Sequence, residues 1–336
     1  MKTRYLIGIM VIIAAGLLEY SLVSLVDVNG SRPAAGSKVA TAAGGSASPS
    51  TRPPFNVASL VAPARKYLGV TIQGAPADMA PVDAFAQAIG KKPNIIEFYE
   101  SFDDNFDASG VRKIYQYGSL PLLSWEPLKA PLATIAAGAR DDYLKTFAKS
   151  VRTLNLPVAI ALAHEMNGSW YPWGPQKTKA GDFVAAWRHV HDVFVAAGAT
   201  NVIWVWAPNV INPVPRVHLA PLYPGDAYVD WIGMDGYYTH KGQQTFTALF
   251  GPTKTAVRRF TKKPILIVET GAEPGTARPG EIANLFGGVA HTSGFIGFVW
   301  FDNHGTGSWR IDDDARSVTA FRRAATASAF GFDVNG

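Results

Sequence analysis

Two glutamates at the ends of apolar runs are the residues of this chain best suited to chemistry. Glu165 lies in the stretch His164-Glu165-Met166-Asn167-Gly168-Ser169-Trp170-Tyr171-Pro172-Trp173-Gly174, directly after the apolar run 157–163. Glu269 closes a second run, Pro264-Ile265-Leu266-Ile267-Val268, and is followed by Thr270-Gly271. Short apolar runs bounded by Pro read as buried strands. A carboxylate at the lip of such a strand is costly unless it is paired or used. Two carboxyls that flank a glycosidic bond can break it: one, protonated, gives its proton to the leaving oxygen, and the other, ionised, attacks or activates water. Burial against aromatic rings raises a Glu pKa, and hydrogen bonds to the ionised form lower it. Glu165, beside His164 and Trp170, suits the acid. Glu269, with Tyr237 of the neighbouring strand in reach, suits the ionised partner. A carboxyl separation of roughly 5–5.5 Å goes with retention and one of roughly 6.5–9.5 Å with inversion; sequence spacing leaves both open.

Other motifs in the same stretch fail on inspection. A zinc protease needs His-Glu-x-x-His on a helix, and the second ligand position is Gly168. Asn167-Gly168-Ser169 fits a glycosylation sequon, but it sits among candidate site residues. His189 and His191 lie two apart on a predicted helix and face different sides, so they form no ligand pair. Asp312-Asp313-Asp314 lacks the Gly and Glu of a calcium loop. No metal or organic cofactor is expected.

Bulk properties narrow the class. The 336 residues are 48% hydrophobic and 17% charged, a globular composition. Net charge is +5, with no long basic run to suggest nucleic acid. The absence of Cys excludes disulfides, thiol catalysis and Cys-bound zinc. Lys2 and Arg4 precede a mostly apolar run over 5–26, broken by Glu19. That pattern reads as a signal peptide or a membrane anchor, since spanning takes ~20 residues. Positive charge at its start would leave the bulk of the chain outside the cytoplasm. Residues 29–55 are rich in Gly, Ala, Ser and Pro and read as a flexible linker. The expected layout is thus a leader or anchor over 1–28, a linker over 29–55 and a domain over 56–336. That domain is expected to be a secreted or tethered monomer.

The elements that must position the two glutamates follow from periodicity. Strand-like runs occupy 67–72, 94–98, 120–125, 158–164, 202–207, 229–236, 265–269 and 296–301, and helical patterns at 80–89, 140–153, 181–197, 248–260 and 280–290 alternate with them. Eight buried strands alternating with helices predict a single (β/α)8 TIM barrel. An open doubly wound sheet would want a Gly-rich phosphate loop after an early strand, and none follows the first two. In such barrels the C-terminal strand ends carry function. There the chain delivers Glu97 and Glu100, Trp125 and Glu126, His164 and Glu165, Trp206 and Asn209, Asp235 and Tyr237, Glu269, and Trp300. Carboxylates, amides and aromatics on one rim are the composition of a glycan cleft. Glu97 and Glu100 are expected in rim ion pairs, and Asp235 as a turn former or a partner of Arg or His.

The block HEMNGSWYPWG, followed by PILIVETG and accompanied by SWEP, VWAPN, VDWIGMDGYY and FVWFD, resembles glycoside hydrolase family 26, the β-mannanase family. The resemblance spans about 65–325. It implies a retaining double displacement with Glu165 as acid/base and Glu269 as nucleophile. By the same resemblance His164 and Asn167 orient the acid and contact sugar, Trp170 stacks on sugar, Tyr237 bonds the nucleophile, and Trp300 floors the reacting subsite. Trp125, Trp173 and Asn209 complete the expected substrate-binding set. The chain departs from the family pattern at Ala161 and Phe301, where many or some members carry Arg. The implied substrate is a β-linked polysaccharide, β-1,4-mannan first, with mixed-linkage glucan or β-1,3-xylan as alternatives. A barrel that binds carbohydrate without turnover, and a structural cell-envelope protein, are the competing readings.

Overall fold

The computed structural model describes residues 53–211, 217–304 and 308–335. The expected leader and nearly all of the linker lie outside them. Among the described residues no helix is long and apolar enough to cross a membrane.

Eight strands, β1 (Tyr67–Thr71), β2 (Ile95–Ser101), β3 (Leu120–Glu126), β4 (Val158–Leu162), β5 (Val202–Trp206), β6 (Trp231–Asp235), β7 (Ile265–Thr270) and β8 (Phe295–Phe301), pair in chain order and close into a barrel. All neighbours are parallel, including β1 with β8. The helices are α1 (Ala58–Val61), α2 (Ala80–Ile89), α3 (Ala108–Gln116), α4 (Leu132–Ala136), α5 (Asp141–Leu154), α6 (Ala180–Ala196), α7 (Phe246–Val257), α8 (Arg278–His291) and α9 (Ala315–Ala325). The predicted (β/α)8 barrel is therefore the fold. Between β5 and β6 the described residues hold a 3-10 turn, Ala220–Leu222, in place of an α-helix.

Local sequence explains the elements. In α5, Leu144, Phe147, Ala148 and Val151 are buried at helical spacing. Asp141 and Asp142 in its first turn favour the positive end of the helix dipole, and Asn155 ends it in the left-handed conformation. The strands are buried along both faces, as parallel strands under helices must be.

Alternation along each strand sorts side chains into two cores. Leu120 and Leu122 of β3, Ala159 and Ala161 of β4, Ile203 and Val205 of β5 and Val299 of β8 fill the barrel interior as one cluster. Gly69 lets this layer close, because a Cβ there would come within 2.8 Å of Val299 Cγ2. The N-terminal end is plugged by α1, where the Tyr67 hydroxyl donates to the Leu60 carbonyl (2.8 Å) and the Trp231 indole to that of Val61 (2.9 Å).

The same alternation corrects two expectations. Trp125 and Trp300 are not cleft residues. Each is fully buried on the outer face of its strand. Trp125 stacks on Phe147 of α5 at 4.3 Å and on Phe102 at 4.8 Å. Trp300 meets Phe321 of α9 edge-on at 5.4 Å and donates to the Trp309 carbonyl (3.2 Å). Period two is the reason: in β3 the inward positions end on Ser124 and Glu126, and in β8 on Val299 and Phe301.

Both tryptophans therefore belong to the stability of the barrel wall. Trp125→Ala should cost about 3–5 kcal/mol, the usual range for emptying a large aromatic site. Urea unfolding of the purified chain measures it, and wild-type stability would contradict the outward packing.

Candidate active site

The tip of β4 is where the backbone departs from regular strand. Ala163 and Glu165 both have positive φ, +48° and +52°. Side-chain-bearing residues rarely hold that conformation, and it persists only where the surroundings impose it. The surroundings here are the neighbouring strands: the Ala163 amide donates to the Trp125 carbonyl (2.9 Å) and the Glu165 amide to that of Ala207 (2.6 Å). The twist turns the Glu165 side chain into the barrel mouth. A second irregularity acts on β7. The pairing register shifts between β6 and β7 so that Asp235 lies beside Glu269, not Val268. Such a bulge re-aims the side chains around it. Val268 joins the interior cluster, and Glu269 also faces inward.

The two carboxyls are held by opposite sets of donors. Glu165 Oε2 accepts from the Trp170 indole at 2.5 Å, and Oε1 accepts from the Asn209 amide. Glu269 accepts a phenol on each oxygen: Tyr99 on Oε1, and Tyr237 on Oε2 at 2.7 Å. Burial raises the Glu165 pKa to about 8, with the charge of Glu269 as the next cause; its two donors pull it down in part. Burial also raises Glu269, against which both phenols act. The pair therefore loses its first proton from Glu269, and burial together with the resulting charge keeps Glu165 protonated at neutral pH.

The remaining expected residues support this pair. Asn167 exchanges two bonds with Asn209, amide to carbonyl (2.8 Å) and Asn209 backbone to Asn167 Oδ1 (2.9 Å), so it holds the residue that holds Glu165. Trp170 needs Gly168: a Cβ there would lie 2.3 Å from its ring. Trp173 is corrected from a sugar contact to a support. It is buried, stacks on Tyr171 at 4.3 Å, and donates to the His164 carbonyl (2.6 Å). Asn167, equally buried and spent on Asn209, is corrected in the same way. The His164 Nε2 lies 2.9 Å from the Tyr171 hydroxyl. Burial drops its pKa to about 3, so the ring is neutral and supplies no countercharge to the glutamates.

Glu97, Glu126 and Asp235 crowd the same mouth, Glu100 lies on the outer face of β2, and the expected ion pairs do not hold Glu97 or Glu100. Glu97 accepts from the hydroxyls of Thr71 (2.5 Å) and Ser124 (2.7 Å). Glu100 accepts from the Asp107 amide (3.1 Å). Among the described residues neither makes a salt bridge, and Asp235 has no Arg or His partner either. Burial, followed by the charge of Glu269, pushes both Glu97 and Asp235 well above the carboxylate range. Glu126 is pushed to about 8, again by burial first.

Tyr99 was not among the residues expected from sequence. Its signal was there, because Ile95, Glu97 and Tyr99 occupy alternate, same-face positions of β2. Phe301 is a second such residue. It lies on the inward register of β8 and meets Tyr237 edge-on at 6.1 Å.

A buried carboxyl with a raised pKa makes stability depend on pH in the less familiar direction. From about pH 4.3 to about pH 8 native Glu126 keeps a proton that the unfolded chain has lost. The native state binds more protons there, so stability falls as pH rises through that window. His164 runs the other way, costing stability below about pH 6.5. Between about pH 6.5 and about pH 8 it is neutral in both states. Over that interval the melting temperature of Glu126→Gln should gain on wild type by at least about 2 °C. Parallel pH slopes in calorimetry would refute the buried, protonated state of Glu126.

A family model described as glycosyl hydrolase family 26 matches residues 132–264, which contain Glu165 and end just before β7. Endoglucanase H of Acetivibrio thermocellus is 29% identical over 278 residues, covering 78% of this chain and 30% of that protein. A mannan endo-1,4-beta-mannosidase A and B of Caldalkalibacillus mannanilyticus is 27% identical over 165 residues, 45% of this chain and 30% of its own length. The chain thus spans about a third of the length of these relatives. Among solved structures, a modular endo-beta-1,4-mannanase from Cellulomonas fimi superposes with a TM-score of 0.60 at 17% identity, over 75% of this chain and 67% of that one. Over residues 132–264, which include the block around Glu165, the chain is thus similar to glycosyl hydrolase family 26.

Proposed function

We propose that the chain is a retaining, endo-acting β-glycanase whose first substrate is β-1,4-mannan. The observation that carries the reading is the unequal wiring of two buried, electrostatically coupled glutamates. Glu269, fixed by two phenols, is the nucleophile; Glu165, kept protonated by burial and by its neighbour's charge, is the acid.

The cycle follows from that coupling. Glu269 attacks the anomeric carbon while Glu165 gives its proton to the departing glycosidic oxygen. The covalent intermediate neutralises Glu269 and so removes the second cause, after burial, of the raised Glu165 pKa. Glu165 is then a carboxylate, the form that the Trp170 and Asn209 donors favour. As such it takes a proton from the water that attacks the same carbon and releases Glu269. One residue thereby serves as acid and base without moving.

Mixed-linkage β-glucan is the second substrate to consider, because Endoglucanase H is a relative that aligns over most of this chain. Apolar Phe301 beside Tyr237 also offers a sugar a face, not a charge. β-1,3-Xylan is the third. We further propose that the protein works outside the cytoplasm as a monomer, exported or tethered through residues 5–26, since polymeric glycans do not cross membranes.

Reducing-end release by the full chain on galactomannan, glucomannan, mixed-linkage β-glucan and β-1,3-xylan tests the reading. Glu269→Ala should be silent on every polymer. Glu165→Gln should lose about 10²–10⁴-fold on polymer and much less on an aryl glycoside whose leaving group needs no proton. Release by Glu269→Ala at the wild-type rate would sink the assignment. The pH profile checks the wiring separately. Tyr99→Phe or Tyr237→Phe removes a donor to ionised Glu269, so the acid limb of kcat/KM should move up by about 0.5–1 pH unit. An unmoved limb in both variants would exclude the phenols from that role.

A further inference from the structure

Behind the seam where β8 meets β1, on the outer side of the barrel rim, lies a cavity of about 260 Å³. Consecutive residues of the chain separate it from the cleft. Thr71 bonds Glu97 inside the barrel, whereas Ile72 lines the cavity. Phe301 meets Tyr237 on the cleft side, whereas Asp302 lines the cavity. Its apolar wall is Ile72, Phe85 of α2 and Ile311; its polar wall is Asp302, Asn303 and Arg310.

The polar groups are preset. Asp302, 8% exposed, accepts the Ile311 amide on Oδ1 (2.7 Å). The Asn303 amide oxygen accepts from the Gln73 backbone (2.5 Å), which fixes its NH2 group as a donor. Arg310 is neutralised by Asp312 at the opening. A pocket with an apolar wall, fixed acceptors and donors, and no excess positive charge suits a neutral polyhydroxylated ring better than an anion. Its volume lies just below the roughly 300–1,000 Å³ of sites for drug-sized ligands, so it fits a single ring.

We propose that this cavity is a second carbohydrate subsite, holding one sugar residue of the polymer whose cleavage takes place across the β8–β1 seam. The proposal rests on the glycanase reading of the cleft. Ring CH groups lie against Pro81 and Ala84 of α2, and vicinal hydroxyls meet the Asp302 carboxylate and the Asn303 amide. A chain that runs over the seam gains this contact only when it is long enough, so the subsite discriminates polymer from short fragments.

The test is calorimetry on the full chain carrying Glu269→Gln, with a hexasaccharide and a trisaccharide of the polymer that the wild type cleaves. Ala84→Trp, from an exposed position of α2 on the cavity wall, fills the space without removing a polar group. Asp302→Asn keeps an acceptor for Ile311 but loses the charge. Both should weaken the hexasaccharide by about fivefold or more and leave the trisaccharide within about twofold. Unchanged hexasaccharide affinity in both variants, with melting temperatures like the parent's, overturns the subsite; equal weakening of both ligands does so too, because the effect then lies in the cleft. If the wild type cleaves none of the four polymers, the reading of the cleft falls by itself. Crystals soaked with mannohexaose and cellohexaose then decide the cavity: a sugar ring against Pro81 and Ala84 supports it, and an empty cavity overturns it.

Discussion

Five carboxyl groups converge on the mouth of this barrel, and the imidazole beside them, His164, is neutral. Charge in a buried site must be paired, hydrogen-bonded or neutralised by a proton. Here the protein uses the last two. Two phenols stabilise one ionised carboxylate at Glu269. Burial and that single charge keep Glu165, Glu97, Glu126 and Asp235 protonated near neutrality. The site is thus a set of coupled groups sharing few charges, and the proposed acid and nucleophile roles are properties of the set.

The scaffold supplies what this arrangement needs. A closed parallel barrel aims alternate side chains of every strand at one axis, so groups far apart in the chain meet without long flexible reaches. Two local departures finish the geometry, left-handed residues at the tip of β4 and a bulge in the β6–β7 pairing. Both lie next to the glutamates they orient. Around them, Asn167, Trp173 and Tyr171 make bonds internal to the protein and hold the functional groups in place. A site built this way changes little when substrate enters, because its orientation is settled by packing.

Aromatic residues show how one composition serves two tasks. The rim is rich in tryptophan, which suggests sugar stacking, but a single step along a strand decides the outcome. Trp125 and Trp300 face the helices and stabilise the wall, while Phe301 and Tyr99, one or two positions from more conspicuous residues, face the mouth. Residue type at a strand end is therefore a weaker guide than its parity.

The sequence by itself determined the barrel, since eight apolar runs alternating with amphipathic segments have few other ways to bury their surface. It also determined where the two glutamates stand, because each closes a strand beside distinctive polar and aromatic neighbours. The tertiary structure alone decided which side chains face inward, as strand parity depends on register, and register depends on pairing and on a bulge that no local pattern reveals. It alone brought Tyr99 of β2 to Glu269 of β7 and Asn209 of β5 to Glu165. It alone set the protonation states, because a pKa in a buried site answers to every charge within reach, and those neighbours come from strands scattered along the whole chain.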